Sequence, residues 1–176
     1  RSLKRRLANI CFANGLGTRK GGTGMKVFWA GTRLGFGSTI RSWHDVRRLH
    51  EMGVTHVINL RSTKQFKNKL RSFHGLWLPF PDDLEMRPRW FYRRALHFYG
   101  EAKQHANAKV LAFCHHGLCR SPSLVYFLLR ADGATHGAAQ RAVLKARSRA
   151  TVARAYREGG EIFLAMEKAK KKLFRG

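Results

Sequence analysis

The stretch VLAFCHHGLCRSPS, residues 110–123, constrains the fold of this chain more than any other. Val110 to Phe113 are apolar and make a short strand that runs into Cys114; Arg120 stands six residues on, and Ser121 with Pro122 starts a helix through about Arg130. A strand that passes through a tight loop straight into a helix belongs to an α/β architecture. Such a loop turns successive backbone N–H groups inward, a nest for an anion, and the helix dipole adds positive potential. Arg120 at its rim can offer two parallel N–H donors to the oxygens of one phosphate, which a lysine cannot imitate. Cys114 at the base lies among those dipoles and beside a guanidinium, a setting that favours the thiolate. A thiolate beneath a bound phosphate is an attacking nucleophile.

The rest of the chain supplies elements around this loop. Val27 to Ala30 read as a short strand, with Gly31, Gly35 and Gly37 marking loops after it. Ser42 and Asp45 form a capping pair, Val46, Leu49 and Met52 give the following helix one apolar face, and Gly53 ends it. Val54 to Leu60 is rich in β-branched residues and reads as a buried strand, followed by a basic loop over 61–75. Leu76 to Leu78 form a further short strand, and Pro88 opens a helix with Phe91, Ala95, Phe98 and Ala102 inward, ending near Asn107. From Thr135 to Phe174 the pattern is helical in two or three pieces, with a break expected at Gly159 and Gly160. Strands alternating with helices, then helices alone, predict a central sheet flanked by helices.

Composition narrows the partners. In 176 residues there are 35 Lys or Arg against 10 Asp or Glu, a formal charge of +25, so the partner is expected to be anionic. Six of the basic residues lie in 1–24, a stretch with five glycines and no acid that reads as a flexible basic arm or an appended extension; the domain proper is expected over 25–176. Eleven more lie in 141–176, where Lys168 to Lys172 read as a solvated helix end. The longest apolar run, Leu124 to Leu129, is far below the roughly 20 residues of a membrane span. Three cysteines and no signal-peptide pattern favour a reducing compartment, the cytoplasm or nucleus, over secretion.

Cys-x5-Arg-Ser with Gly117 inside it, set between strand and helix, resembles the signature of the protein tyrosine phosphatase superfamily, most closely its compact dual-specificity branch. The resemblance extends over roughly residues 26–167: the helix before VTHVINL looks like that branch's leader helix and central strand, and WLPFPDD looks like its general-acid loop. It implies a mixed, mostly parallel sheet with closing C-terminal helices, and a metal-independent phosphatase without cofactor, acting on phosphotyrosine, and next on phosphoserine or phosphothreonine, in proteins. It implies Cys114 as nucleophile, Arg120 as phosphate ligand, Ser121 as the hydroxyl that eases thiolate departure, and the backbone amides of His115, His116, Gly117, Leu118, Cys119 and Arg120 as the cradle.

A proton donor for the leaving oxygen is required on chemical grounds alone. Asp82 and Asp83 lie together after Pro81; Asp82, 32 residues before Cys114, matches the family spacing and takes the role, with Asp83 the alternative. The chain departs from the family at Phe113, where a histidine is usual, which implies a less acidic thiol and a slower enzyme.

Other readings compete. Cys114, His115, His116 and Cys119 are all zinc-capable, but they are packed into six residues beside a cation rather than split into separated pairs. Cys119 reads as filler in the cup or as a resolving thiol for oxidised Cys114, and Cys11 has no readable role. The charge excess suits a polyanionic substrate, RNA with a 5′-polyphosphate or a phosphoinositide headgroup, and a non-catalytic module binding phosphate or nucleic acid is the alternative from another class.

Overall fold

The computed structural model describes residues 24–63 and 70–174. The basic arm expected over 1–24, with Cys11, lies outside the described residues apart from Gly24. Five strands, β1 (Val27–Trp29), β2 (Leu34–Gly37), β3 (His56–Asn59), β4 (His74–Trp77) and β5 (Val110–Phe113), form one sheet in the order β1-β2-β5-β3-β4. Only the β1–β2 hairpin is antiparallel; β2, β5, β3 and β4 run parallel. The sheet is therefore mixed and mostly parallel, as the sequence reading required.

Five helices complete the described chain: α1 (Trp43–Glu51), α2 (Arg89–Lys103), α3 (Arg120–Ala131), α4 (His136–Ala146) and α5 (Arg154–Leu173). Alternation along the strands divides them between two unequal layers. Val57, Leu111 and Phe113 face one side, where α1 covers them with Val46 and Leu49. Ile58, Val110 and Ala112 face the other, where α2 to α5 bring Ala95, Val125, Val143 and Phe163 into the larger core.

The capping box of α1 forms as read: the Ser42 hydroxyl accepts from the Asp45 N–H at 3.1 Å, and the Asp45 carboxylate accepts from the Ser42 N–H at 3.1 Å. Gly53 follows the helix with φ 75°, the left-handed turn that glycine makes without a Cβ clash.

Two sets of glycines depart from the expectation. Gly35 and Gly37 lie within strand β2, not in a loop. A Cβ on Gly35 would stand 2.8 Å from the Trp29 ring and one on Gly37 2.5 Å from the Lys26 carbonyl, so these glycines admit a close hairpin partner. Gly159 and Gly160 do not break the last helix, which is continuous from Arg154 to Leu173. There a Cβ would stand 2.6 Å from the Tyr92 hydroxyl or 2.9 Å from Phe127, so the pair lets α2 and α3 pack tightly on α5. Boundaries shift elsewhere: α2 ends at Lys103 rather than near Asn107, because the chain then tightens into successive turns closed by Ala102 and His105 carbonyls, and α3 begins at Arg120 rather than Ser121. No described helix is long and apolar enough to cross a membrane.

Candidate active site

The parallel register brings the carboxyl ends of three strands to one edge. Gly37 and Asn59 both align with Phe113, the last residue of β5, so the chains leaving β2, β3 and β5 emerge side by side. This is where parallel sheets place their ligand sites. Cys114 leaves β5 into the loop that ends at the N-terminus of α3.

The loop is held open from two neighbours. From β2, the Gly37 carbonyl accepts the Cys114 N–H at 3.2 Å, and Thr39 donates its N–H to the His115 carbonyl at 3.2 Å and its hydroxyl to the Cys114 and His115 carbonyls at 3.1 Å each. From the end of α4, Arg147 donates to the His116 and Gly117 carbonyls at 2.8 Å each, and Thr151 N–H donates to the Leu118 carbonyl at 2.7 Å. Carbonyls turned outward to these donors leave the loop's N–H groups to the concave side. Gly117 is required at its bend: φ is 68°, and a Cβ there would meet the Gly37 carbonyl carbon at 2.7 Å.

Cys114 is buried at the base. Its Sγ accepts the Gly117 N–H at 3.3 Å and lies 3.3 Å from the Ser121 Oγ, itself 3.3 Å from the Gly37 carbonyl. Arg120 closes the rim. Its Nη1 donates to the Phe80 carbonyl at 3.0 Å, Nη2 lies 3.3 Å from the Asp82 Oδ2, and Nε is buried with no hydrogen-bond partner among the described residues. Nη1 is thus anchored on the backbone and Nη2 faces Asp82, which leaves Nε as the unpartnered donor of the guanidinium among the described residues. His115 and His116 are exposed, so they contribute backbone to the loop while their rings stand outside it.

The two aspartates after Pro81 have different surroundings. Asp82 sits beside Arg120 with its side chain 56% exposed, so a proton can pass between it, a leaving group and water. Asp83 is bound by Arg87, and that hydrogen bond, with the Glu85 N–H, holds its carboxyl below the ordinary range. Arg87 thus occupies the Asp83 carboxylate, while Asp82 faces the rim arginine. The loop itself is pinned by Tyr156 of α5, whose hydroxyl accepts the Leu84 N–H at 2.9 Å and donates to the Pro81 carbonyl at 3.2 Å.

Cys119 is half-buried, and burial, then the nearby Asp82 and Cys114, push its thiol up from the ordinary value. Phe113, at the position of the family's histidine, is fully buried in the α1-side core, so the ring contributes packing and no polar contact. The side-chain donor to the Cys114 carbonyl is Thr39 instead. Thr39, Arg147 and Tyr156, and Gly37 as a partner of this loop, carry no local signal in the sequence. Each reaches the site from 30 to 84 residues away.

No family model matches the chain. Solved structures do. The structure of PTPMT1 superposes with TM-score 0.70 at 18% identity, covering 84% of this chain and 99% of that one. Human DUSP28 matches with TM-score 0.69 at 19% identity over 81% and 95% of the two chains. The human tyrosine phosphatase-like serine/threonine/tyrosine-interacting protein matches with TM-score 0.66 at 18% identity over 80% and 97%. The chain therefore has a fold like that of the dual-specificity phosphatases. At such identities the likeness speaks for the fold alone.

Proposed function

We infer that the protein is a phosphatase that hydrolyses phosphate monoesters through a cysteinyl-phosphate. The observation that carries this is the placement of Cys114 Sγ at the floor of a loop of N–H groups, 3.3 Å from both the Gly117 amide and the Ser121 hydroxyl, with Arg120 at the rim. In the first step an S–P bond forms as the ester P–O bond breaks. Arg120 and the amides of residues 115–120 stabilise the charge on the equatorial oxygens, and Asp82 gives its proton to the leaving oxygen. In the second step water attacks phosphorus and Asp82 takes its proton. The S–P bond then breaks, Ser121 hydrogen-bonds the departing thiolate, and inorganic phosphate leaves.

Phosphotyrosine in protein is the substrate class that the sequence resemblance suggests. A phosphoinositide is a second reading, supported by the similarity to PTPMT1 in complex with PI(5)P, TM-score 0.69 at 17% identity. Hydrolysis of p-nitrophenyl phosphate by the wild type and by Cys114→Ser tests the chemistry common to both. Turnover that disappears in the variant and survives a chelator supports the reading. Equal activity in the two proteins eliminates it and leaves a phosphate-binding module.

A further inference from the structure

Helix α5 has two apolar faces, and only one of them is covered. Tyr156, Gly159, Gly160 and Phe163 are buried, the glycines and Phe163 against Tyr92 of α2 and Phe127 of α3. Ile162, Met166, Ala169 and Leu173 recur at steps of four, three and four residues, which sets them in a second stripe about a quarter turn away. Ile162, Met166 and Leu173 are 54%, 38% and 80% exposed. The apolar surface continues onto the Asp82 loop at the start of the helix. Met86 lies against Gly159, where a Cβ would stand 3.4 Å from that of Met86, and Leu84 is tied to Tyr156. Both side chains are exposed, and Leu84 stands at φ 58°, where glycine is the usual residue.

Lysines border the stripe. Going round the helix, Lys170 and Lys172 stand on its two sides and Lys168 and Lys171 behind it, all four exposed. The three glutamates of α5 are already engaged, Glu158 with Arg154, Glu161 with Arg130, and Glu167 3.9 Å from Lys170. No carboxylate among the described residues pairs with Lys168, Lys171 or Lys172. An exposed apolar stripe between lysines is the pattern of a helix lying in a membrane interface, apolar side toward the acyl chains and ammonium groups at the headgroups. The helix is not apolar enough to cross a bilayer.

The two features together select the occupant. A second copy would bring one charge of +25 against another. A nucleic acid would meet the lysines and leave the stripe in water. A protein groove would have to wrap a helix whose other side is held by α2 and α3. A flat anionic lipid surface meets both the stripe and the lysines.

We propose that the exposed face of α5, with Met86 and Leu84 beside its start, docks on the surface of an anionic lipid bilayer, the helix lying in the plane of the interface. Docking brings the Asp82 loop, which Tyr156 of the same helix pins, to that surface. The docking face stands independently of the phosphatase reading.

The test is sedimentation of the full chain with vesicles of phosphatidylcholine alone and of phosphatidylcholine with about 30% phosphatidylserine, an anionic lipid without a phosphate monoester. Binding is expected to be about tenfold or more tighter to the anionic vesicles. Met166→Gln with Leu173→Gln keeps every charge and is expected to weaken it about tenfold. Met86→Gln, on a different element, is expected to act in the same direction. Lys171→Gln with Lys172→Gln is expected to weaken binding about tenfold and to narrow the preference for the anionic vesicles. These positions are exposed, and thermal unfolding like that of the wild type shows each variant folded.

No binding to anionic vesicles, equal binding to both compositions, or binding unchanged in Met166→Gln with Leu173→Gln overturns the proposal. Dimerisation in sedimentation velocity that the same apolar variant abolishes, without vesicle binding, gives the face to a second copy and overturns it too. Capture of an acidic amphipathic peptide in place of the vesicles gives the face to a protein, with the same consequence. A protein that docks through Met166 and Leu173 but hydrolyses no p-nitrophenyl phosphate leaves the docking face standing and removes the phosphatase reading.

Discussion

The loop around Cys114 is braced by hydrogen bonds from the end of β2 and the end of α4, whereas the loop carrying Asp82 is tied to the rest of the molecule by the hydroxyl of Tyr156 and by the rim arginine. In the first, Cys114 and Gly117 are buried and residues 118–120 partly so; in the second, Asp82, Asp83 and Leu84 are all exposed. On the proposed mechanism, the difference follows from what each must do. Oxyanion donors work best when already fixed at the moment of reaction, since reorienting them costs the energy they supply. A proton donor must meet a leaving group, then water, and a lightly tethered edge allows both.

The sharpest way to break this comparison is to exchange the aspartates. Asp82→Asn is expected to lower kcat for a poor leaving group about a hundredfold, within the usual range for a general acid. Asp83→Asn, which weakens the Arg87 ion pair and keeps an acceptor for the Glu85 N–H, is expected to lower it less than about threefold. Single-turnover rates with a poor and a good leaving group check this. A larger loss in Asp83→Asn would give that residue the role.

Tethers differ in strength as well. Gly117→Ala forces a left-handed alanine into the Gly37 backbone, and a loss of about 2 kcal/mol or more in unfolding free energy is expected, with the phosphate site distorted. Tyr156→Phe removes two hydrogen bonds to the Asp82 loop and is expected to cost about 1–2 kcal/mol. Denaturant titration measures both. Equal costs would erase the distinction between the loops.

Much of the site was legible in the sequence because it is local. Strand, Cys114, Gly117, Arg120 and Ser121 fall within a dozen residues, and their spacing is enough to define the cup. The α1 capping box and the Asp82 loop were readable for the same reason. What could not be read depends on partners distant in the chain. A glycine that breaks a helix and one that admits Tyr92 look alike until α2 packs on α5, which is why Gly159 and Gly160 were misassigned. The same holds for Gly35 and Gly37, whose neighbours Trp29 and Lys26 come from the paired strand β1 and the residue just before it. Thr39 and Arg147 act on loop carbonyls, contacts that exist only once β2 and α4 are in place.

The smallest expected effect lies at the opposite end of the sheet, where His56 stacks on His74 at 4.7 Å and lies 6.0 Å from His105. Burial, then the charges of His74 and His105, lower the His56 imidazole below its ordinary 6.5, and Glu101 opposes them. The unfolded chain therefore binds the proton more readily. Stability is retained above pH 6.5 and is expected to fall as the pH drops below it. His56→Gln is expected to flatten that slope in thermal unfolding while leaving the site's own pH dependence in place. An unchanged slope would remove the assignment.

Trapping the intermediate tests the central claim most directly. Acid quench of the wild type during turnover of a radiolabelled phosphate monoester is expected to leave label on the peptide containing Cys114, and none in Cys114→Ser. Turnover without label on that peptide, or label on another residue, would contradict the account.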